Sequence, residues 1–400
     1  MEHSLRIRRE EFDDRTQALL AYAQEEGLAG VVLFDSTNIL YFTGFAFTPT
    51  ERPIVYVLSH TGERALFVPR LEVEHAQSEA AVERVDHYLE YPDHPRPMIL
   101  CKAMLDDMGV LSGGGRLGAD MNGYPWIFGY EGPPLSDLAG KTFVNVQGKL
   151  NQMQAVKSKA ELALIRESCK WANLAHRLLQ RYTAVGASET EVGMRASQGA
   201  TLAMLDAIGP IYRSQNMWRD GPGATYRGQI GRNAAIPHTL ANNLTFQPGD
   251  VLVTGAGCPM WGYNSELERT MFVGEPNEEQ RRMFEHMKAA QEVALAAMGP
   301  GVRCSDVDTA VHDYYEKHDL MAYWKHHTGH TIGLRYHEGP FLDTGDETVM
   351  QEGMVFTVEP GLYAPNMGGF RHSDTVAITA DGIEIMTYYP RDWQSLVIPI

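Results

Sequence analysis

Apolar and polar positions along the chain follow two regimes that meet near residue 150. In the first, short apolar runs alternate with amphipathic stretches. Residues 11–27 (EFDDRTQALLAYAQEEG) place apolar side chains at helical spacing and end on Gly27, which predicts a helix and its stop. GVVLFDS reads as a buried strand, and RPIVYVLS and RALFVP read as two more across the polar turn HTGE. Residues 71–80 and 97–109 are predicted helices, and KTFVNV at 141–146 a last strand. Strands alternating with helices predict a small α/β domain over residues 1–150. It contains no GxGxxG, so a dinucleotide site is not indicated.

Residues 147–158 (GKLNQMQAVKSK) read as a connection, after which long helical patterns dominate. These are residues 159–182, 187–206 with the Ser188-x-x-Glu191 box as N-cap, 278–298 and 304–318. Between and after them lie strand-like segments: VLVTGAG, ERTMFVG, GMVFTVEPGLY and DTVAITADGIEIMTYY. Helices beside antiparallel strands predict an α+β domain over residues 151–400. No low-complexity tract or short repeat is present.

A length of 400 residues with 44% apolar content suits two globular domains. The net charge of -17 argues against a nucleic-acid footprint and otherwise describes an ordinary acidic surface. Cys101, Cys169, Cys258 and Cys304 match no zinc or disulfide spacing, which fits a reducing compartment. The first residues lack an apolar signal-peptide core, and no apolar run approaches the ~18 residues of a membrane span. A cytoplasmic enzyme with neither membrane nor nucleic-acid partners is the expectation.

Four segments of the second half group ionisable residues beside strand or turn signals: NAAIPHT (233–239), GYNSELERT (262–270), HHTGHTIGLRYHEGP (326–340) and MVFTVEPG (354–361). Most histidines are structural or solvated. Glu359 is more informative, because an unpaired charge in an apolar strand is expensive to bury.

The order of these segments resembles the pita-bread family of creatinase, aminopeptidase P and prolidase (peptidase M24-like). The resemblance is carried by Gly262-Tyr263 with Leu267-Glu268-Arg269-Thr270, Gly329-His330-Thr331-Ile332-Gly333 with His337, Glu359-Pro360-Gly361, and Gly368-Gly369-Phe370-Arg371. It covers residues 150–400, and Asn38-Ile39-Leu40-Tyr41-Phe42-Thr43-Gly44 resembles the small domain of creatinase and prolidase. It implies a pita-bread α+β catalytic domain behind a smaller α/β domain.

That family usually holds two metal ions on five side chains. Its first Asp falls here on Gly255, its second on Glu266, its metal His on His330, its first Glu on Glu359 and its bridging Glu on Ser373. Two metals about 3.5–4 Å apart need bridging carboxylates, and two of the positions supply none. The resemblance therefore implies a site without the metal pair. The expectation is no metal cofactor, with a single divalent ion on Glu266, His330 and Glu359 as the alternative; His372 and Cys258 have no assigned place in that shell.

The LERT phrase resembles creatinase, the metal-independent branch. By that resemblance Glu268 and Glu359 bind a guanidinium of the substrate, His238 moves the proton, and His330 assists. Carboxylates with no metal between them repel, and a planar amidinium neutralises them through bidentate hydrogen bonds. The leading expectation is thus a metal-independent hydrolase of a C–N bond in a small amidine or guanidine zwitterion, like creatinase or ectoine hydrolase. His238, Glu266, His330 and His337 are its catalytic candidates, and Arg52, Glu268, Glu359 and His326 its substrate-binding candidates, with His327 undecided. Arg371 and Asp374 are expected as internal ion-pair partners. Arg52 falls near the place of an arginine that creatinase brings from the partner subunit, which implies a homodimer whose small domain completes the partner's site. The alternatives are an Xaa-Pro dipeptidase or aminopeptidase with an altered metal site, and a non-catalytic binding member.

Overall fold

A computed structural model describes residues 5–90, 96–111 and 115–400. Two compact units divide it, Ile7–Gln154 and Ala155–Ile400.

The first unit is a six-stranded mixed sheet in the order Arg84–Tyr88, Arg64–Pro69, Val55–Ser59, Leu28–Leu33, Arg116–Ala119, Phe143–Asn145. The three strands read around HTGE and GVVLFDS sit at its centre, and all residues of Leu28–Leu33, Val55–Ser59 and Arg64–Pro69 are buried. Such near-continuous apolar runs belong to strands covered on both faces. Helix Arg9–Glu25 ends before Gly27, whose φ of 64° only glycine adopts cheaply. The expected connection at 147–158 differs: Gln147–Ala155 is a helix. Its polar composition hides the reason, which is tertiary, since Leu150 and Ala155 are buried.

In the second unit helix Lys159–Tyr182 starts at a complete capping box, Ser158 with Glu161. Its buried face includes Leu164, Ile165, Ala172 and Leu179, and each large side chain contributes roughly 1.5–3 kcal/mol by leaving water. Helix Glu189–Ile208, capped by Ser188, packs on it, and Glu278–Ala297 pairs with Cys304–Lys317. A five-stranded antiparallel sheet runs Glu338–Leu342, Gly329–Thr331, Val355–Val358, Asp374–Ile378, Ile383–Ile385. Smaller ladders join Thr270–Val273 to Val251–Val253 on one side and Val397–Ile398 on the other, Gly361–Ala364 to Gly368–Arg371, and Gly223–Thr225 to Gly255–Gly257. This is the expected α/β unit followed by an α+β unit.

Two apparent strands are broken where the chemistry lies. GMVFTVEPGLY becomes Val355–Val358 and Gly361–Ala364 in different sheets, because Pro360 has no N–H to continue a ladder. The break leaves Glu359 at the junction. VLVTGAG divides at Thr254, whose hydroxyl bonds Arg269 O at 3.1 Å and the His176 ring at 2.7 Å. Among the described residues, no helix is long and apolar enough to cross a membrane.

Candidate active site

Glu266 precedes strand Thr270–Val273, His330 lies in Gly329–Thr331, and Glu359 follows Val355–Val358. Gly329 permits the approach of those last two strands, since a Cβ there would sit 2.0 Å from Thr357 O. Ligand atoms of Glu266, His330 and Glu359 all lie within 4.8 Å of one another. The His330 ring is fixed by its Nδ1, 3.0 Å from Thr331 O, so Nε2 is left facing the carboxylates, 3.1 Å from Glu359 Oε1. Nε2 has no well-aligned hydrogen-bond partner. Ser373 donates to Glu266 Oε1 at 2.7 Å and Thr357 to Glu359 Oε1 at 3.3 Å, steadying both carboxylates.

Electrostatics mark the same three residues. Burial, followed by the charges of Glu359 and Glu268, pushes the Glu266 pKa up to about 7. Burial opposes charge on Glu359 too, but His330 and Arg371 hold its carboxyl below the usual range. Burial works against protonating His330, yet Glu359 and Glu266 lift it to about 9. One imidazole nitrogen and two carboxylates are a legitimate ligand set for one divalent ion. The residues fit a single metal.

They do not fit a pair. Gly255 and Ser373 supply no carboxylate, and Glu268 is already compensated. Its Oε1 accepts from Arg227 and its Oε2 from Arg371. Glu268, expected to bind a substrate guanidinium, is occupied by the protein's own guanidiniums. Arg371 is buried and also donates to Tyr363 Oη at 2.8 Å. Asp374 pairs instead with Arg269, at 2.8 Å, both fully buried.

His326, expected as a substrate contact, is held by its neighbours. Its Nε2 is 2.7 Å from Tyr363 Oη and its Nδ1 2.8 Å from His327 O. Since Arg371 donates to that hydroxyl, Tyr363 donates to Nε2 and the ring donates through Nδ1. Both nitrogens are used within the protein. His327 lies 3.6 Å from Asp343. His337 is exposed and stacks on His330, ring centroids 4.1 Å apart. Desolvation and neighbouring His330 push its pKa down to about 4, and His238 contributes in the same direction. His238 is exposed at the turn after the short helix Gly231–Ala235, near His337. Arg52, in the first unit, is bonded by Glu51 and Glu90, the latter at 2.8 Å. His372 is buried against Phe284, outside the cluster.

A cavity of about 240 Å³ reaches Glu266 of the cluster and is lined besides by Arg219, Arg227, Gly255, Glu268, Tyr336 and His337. Arg219, Arg227 and Tyr336 carried no motif and were not anticipated. The one available signal was indirect: a glycine in a carboxylate's place leaves room that something must fill.

The profile of Metallopeptidase family M24 matches residues 163–380, and that of the Creatinase/Prolidase N-terminal domain matches residues 15–156. The chain is 28% identical to an Xaa-Pro dipeptidase of Pyrococcus furiosus over 382 residues, 95% of this chain and 99% of the relative. It is 27% identical to the probable dipeptidase PepE of Mycobacterium tuberculosis over 398 residues, 99% of each. Among solved structures, dipeptidase PepE from Mycobacterium ulcerans superposes with a TM-score of 0.82 at 25% identity, over 99% of this chain and 100% of that one. The prolidase from Pyrococcus horikoshii does so with 0.78 at 26%, over 95% and 99%.

These likenesses overturn two expectations. The relatives are dipeptidases, so the amidine or guanidine hydrolase, with its creatinase and ectoine hydrolase likeness, gives way to the peptidase alternative. The expectation of no metal cofactor also falls, because the dipeptidase likeness coincides with a ready set of ligand atoms on Glu266, His330 and Glu359.

Proposed function

The chain belongs to metallopeptidase family M24, and on that premise we propose that it is a metal-dependent dipeptidase acting on short peptides of the Xaa-Pro type. The observation that carries this reading is the Glu266–His330–Glu359 cluster, whose Glu266 also lines a neighbouring cavity. Those three side chains would hold a divalent ion, which when bound supplies Lewis-acid polarisation of the scissile carbonyl.

The cavity's about 240 Å³ falls below the roughly 300–1,000 Å³ of drug-sized sites and suits a dipeptide. Its wall carries Arg219, over the Tyr336 ring at 5.7 Å, as a partner for a free substrate carboxylate. His337, neutral near pH 7 because its pKa is pushed down to about 4, orients substrate through a hydrogen bond rather than through charge. His238, exposed beside it, returns a proton to the leaving nitrogen, which a proline amine requires. Glu266 and Glu359 keep their orientation through Ser373 and Thr357. The four free, buried cysteines support a reducing, cytoplasmic setting.

The test is hydrolysis of alanyl-proline and glycyl-proline by chelator-stripped protein reloaded with Mn²⁺ or Zn²⁺. Product release that disappears in His330→Ala is expected. A folded, metal-loaded protein that cleaves neither dipeptide overturns the proposal.

A further inference from the structure

Arg227 is unusual in three ways. It is a non-glycine residue in the left-handed region, at φ 52°, a conformation that costs energy and persists where the surroundings impose it. Its backbone is pinned on both sides: its own N–H donates to Thr225 Oγ1 at 3.0 Å, and that of Gly228 to buried Glu189 at 2.7 Å. Its guanidinium donates to Glu268 and, at 3.1 Å, to Gln229 Oε1. A side chain launched from a strained, pinned backbone into the cavity wall has a defined position.

That position is the one a carboxylate at residue 255 would claim. A Cβ built on Gly255 would lie 3.4 Å from Arg227 Cζ, 3.5 Å from its terminal nitrogen and 3.4 Å from Glu268 Oε1. The guanidinium fills the space that the absent side chain vacates. Charge balance agrees. In the ligating state, with His330 neutral and Glu266 ionised, Glu266, Glu268 and Glu359 against Arg227 and Arg371 leave one net negative charge around the cluster. One divalent ion reverses that sign modestly, whereas two would leave a strong positive excess in a largely desolvated site.

We infer that Arg227 is a built-in cation standing in place of a second metal ion, so that the centre binds one divalent ion beside a fixed guanidinium. The inference rests on the metal-dependent reading above and deepens it. Arg227 is a positioning residue for Glu268 and a fixed charge beside the metal ligands. A lysine keeps that charge, whereas a glutamine removes it and leaves Glu268 less compensated, so the metal should bind more tightly. Loss of a merely structural contact would weaken binding instead.

The test is calorimetric titration of the chelator-stripped full chain with Mn²⁺, with metal content checked by mass spectrometry and folding by circular dichroism. The expected result is one equivalent per chain for the wild type. Arg227→Gln should bind Mn²⁺ at least about tenfold more tightly, and Arg227→Lys within about threefold of wild type. Gly255→Asp, which pairs with Arg227, should stay at one equivalent, and it serves as the second variant should Arg227→Gln not fold. Two equivalents in the wild type or in Gly255→Asp overturn the inference and leave the peptidase reading standing. Unchanged or weaker binding in folded Arg227→Gln also overturns it alone. No binding at all overturns both.

Discussion

Replacing Glu268 with alanine removes the carboxylate that holds Arg227 and Arg371. Glu268 and Arg371 have side-chain exposures of 2% and 4%, so this half of the contact is a buried ion pair. Arg371 would keep the Tyr363 hydroxyl at 2.8 Å and Glu359 at 3.7 Å. Removing one partner of a buried pair costs about 3–5 kcal/mol. The Arg227 contact, 38% exposed on the arginine side, adds under about 1 kcal/mol. Working the other way, Glu268 repels Glu266, whose pKa burial, Glu359 and Glu268 together push to about 7; relief of that share returns on the order of 1 kcal/mol. The net expectation is a loss of about 3 kcal/mol. Urea unfolding read by tryptophan fluorescence suits the measurement, because Trp171, Trp218, Trp261, Trp324 and Trp393 lie in the second unit and only Trp126 in the first. With an m-value of about 3 kcal/mol/M, the midpoint should fall by about 1 M. An unchanged or raised midpoint refutes the reasoning. It would mean that Glu268 is an uncompensated charge, as a carboxylate kept for a substrate cation would be.

Asp308 accepts from Thr328 N and Oγ1 and from Thr344 N at 2.7–3.0 Å, beside the strand that carries His330. Asp308→Ala should cost about 2–4 kcal/mol in urea unfolding and weaken Mn²⁺ binding; full retention of both would remove its positioning role. Buried His176 has its pKa pushed down to about 3 by burial and Arg269. Below pH 6.5 the unfolded chain takes a proton that the folded chain refuses, so stability falls by about 1.4 kcal/mol per pH unit from 6.5 toward 3. In His176→Asn the dependence of unfolding free energy on pH between 6 and 4 should flatten by about one proton, and an unaltered slope would contradict the assignment. Arg219→Gln should raise KM for a dipeptide about tenfold or more while kcat changes little, and should narrow the preference over the C-terminal amide. Unchanged KM would take the carboxylate contact away from Arg219.

The sequence alone determined the elements whose local signals and tertiary role agree. Helix Lys159–Tyr182 was legible at 159–182 from its long amphipathic pattern, and the Ser158–Glu161 capping box seen in the structure agrees with it. The central strands of the first unit were legible because double-sided burial demands continuous apolar runs. Helix Gln147–Ala155 was not, since its stability comes from where Leu150 and Ala155 are buried and not from its own pattern. At the site, the family resemblance implied Glu266, His330 and Glu359 as a group and placed Gly255 and Ser373, which lack carboxylates, at two ligand positions. What a carboxylate is bound to is decided by partners distant in the chain. Glu268 looked like a ligand for a substrate cation until folding brought Arg227, 41 residues away, and Arg371, 103 residues away, onto its two oxygens. His326 was a substrate-binding candidate by its segment, and only the fold shows that Tyr363 and the His327 carbonyl engage both its nitrogens. Charge compensation depends on distance in space, and only the tertiary structure sets it; spacing along the chain records which charges exist, and not which of them are already neutralised.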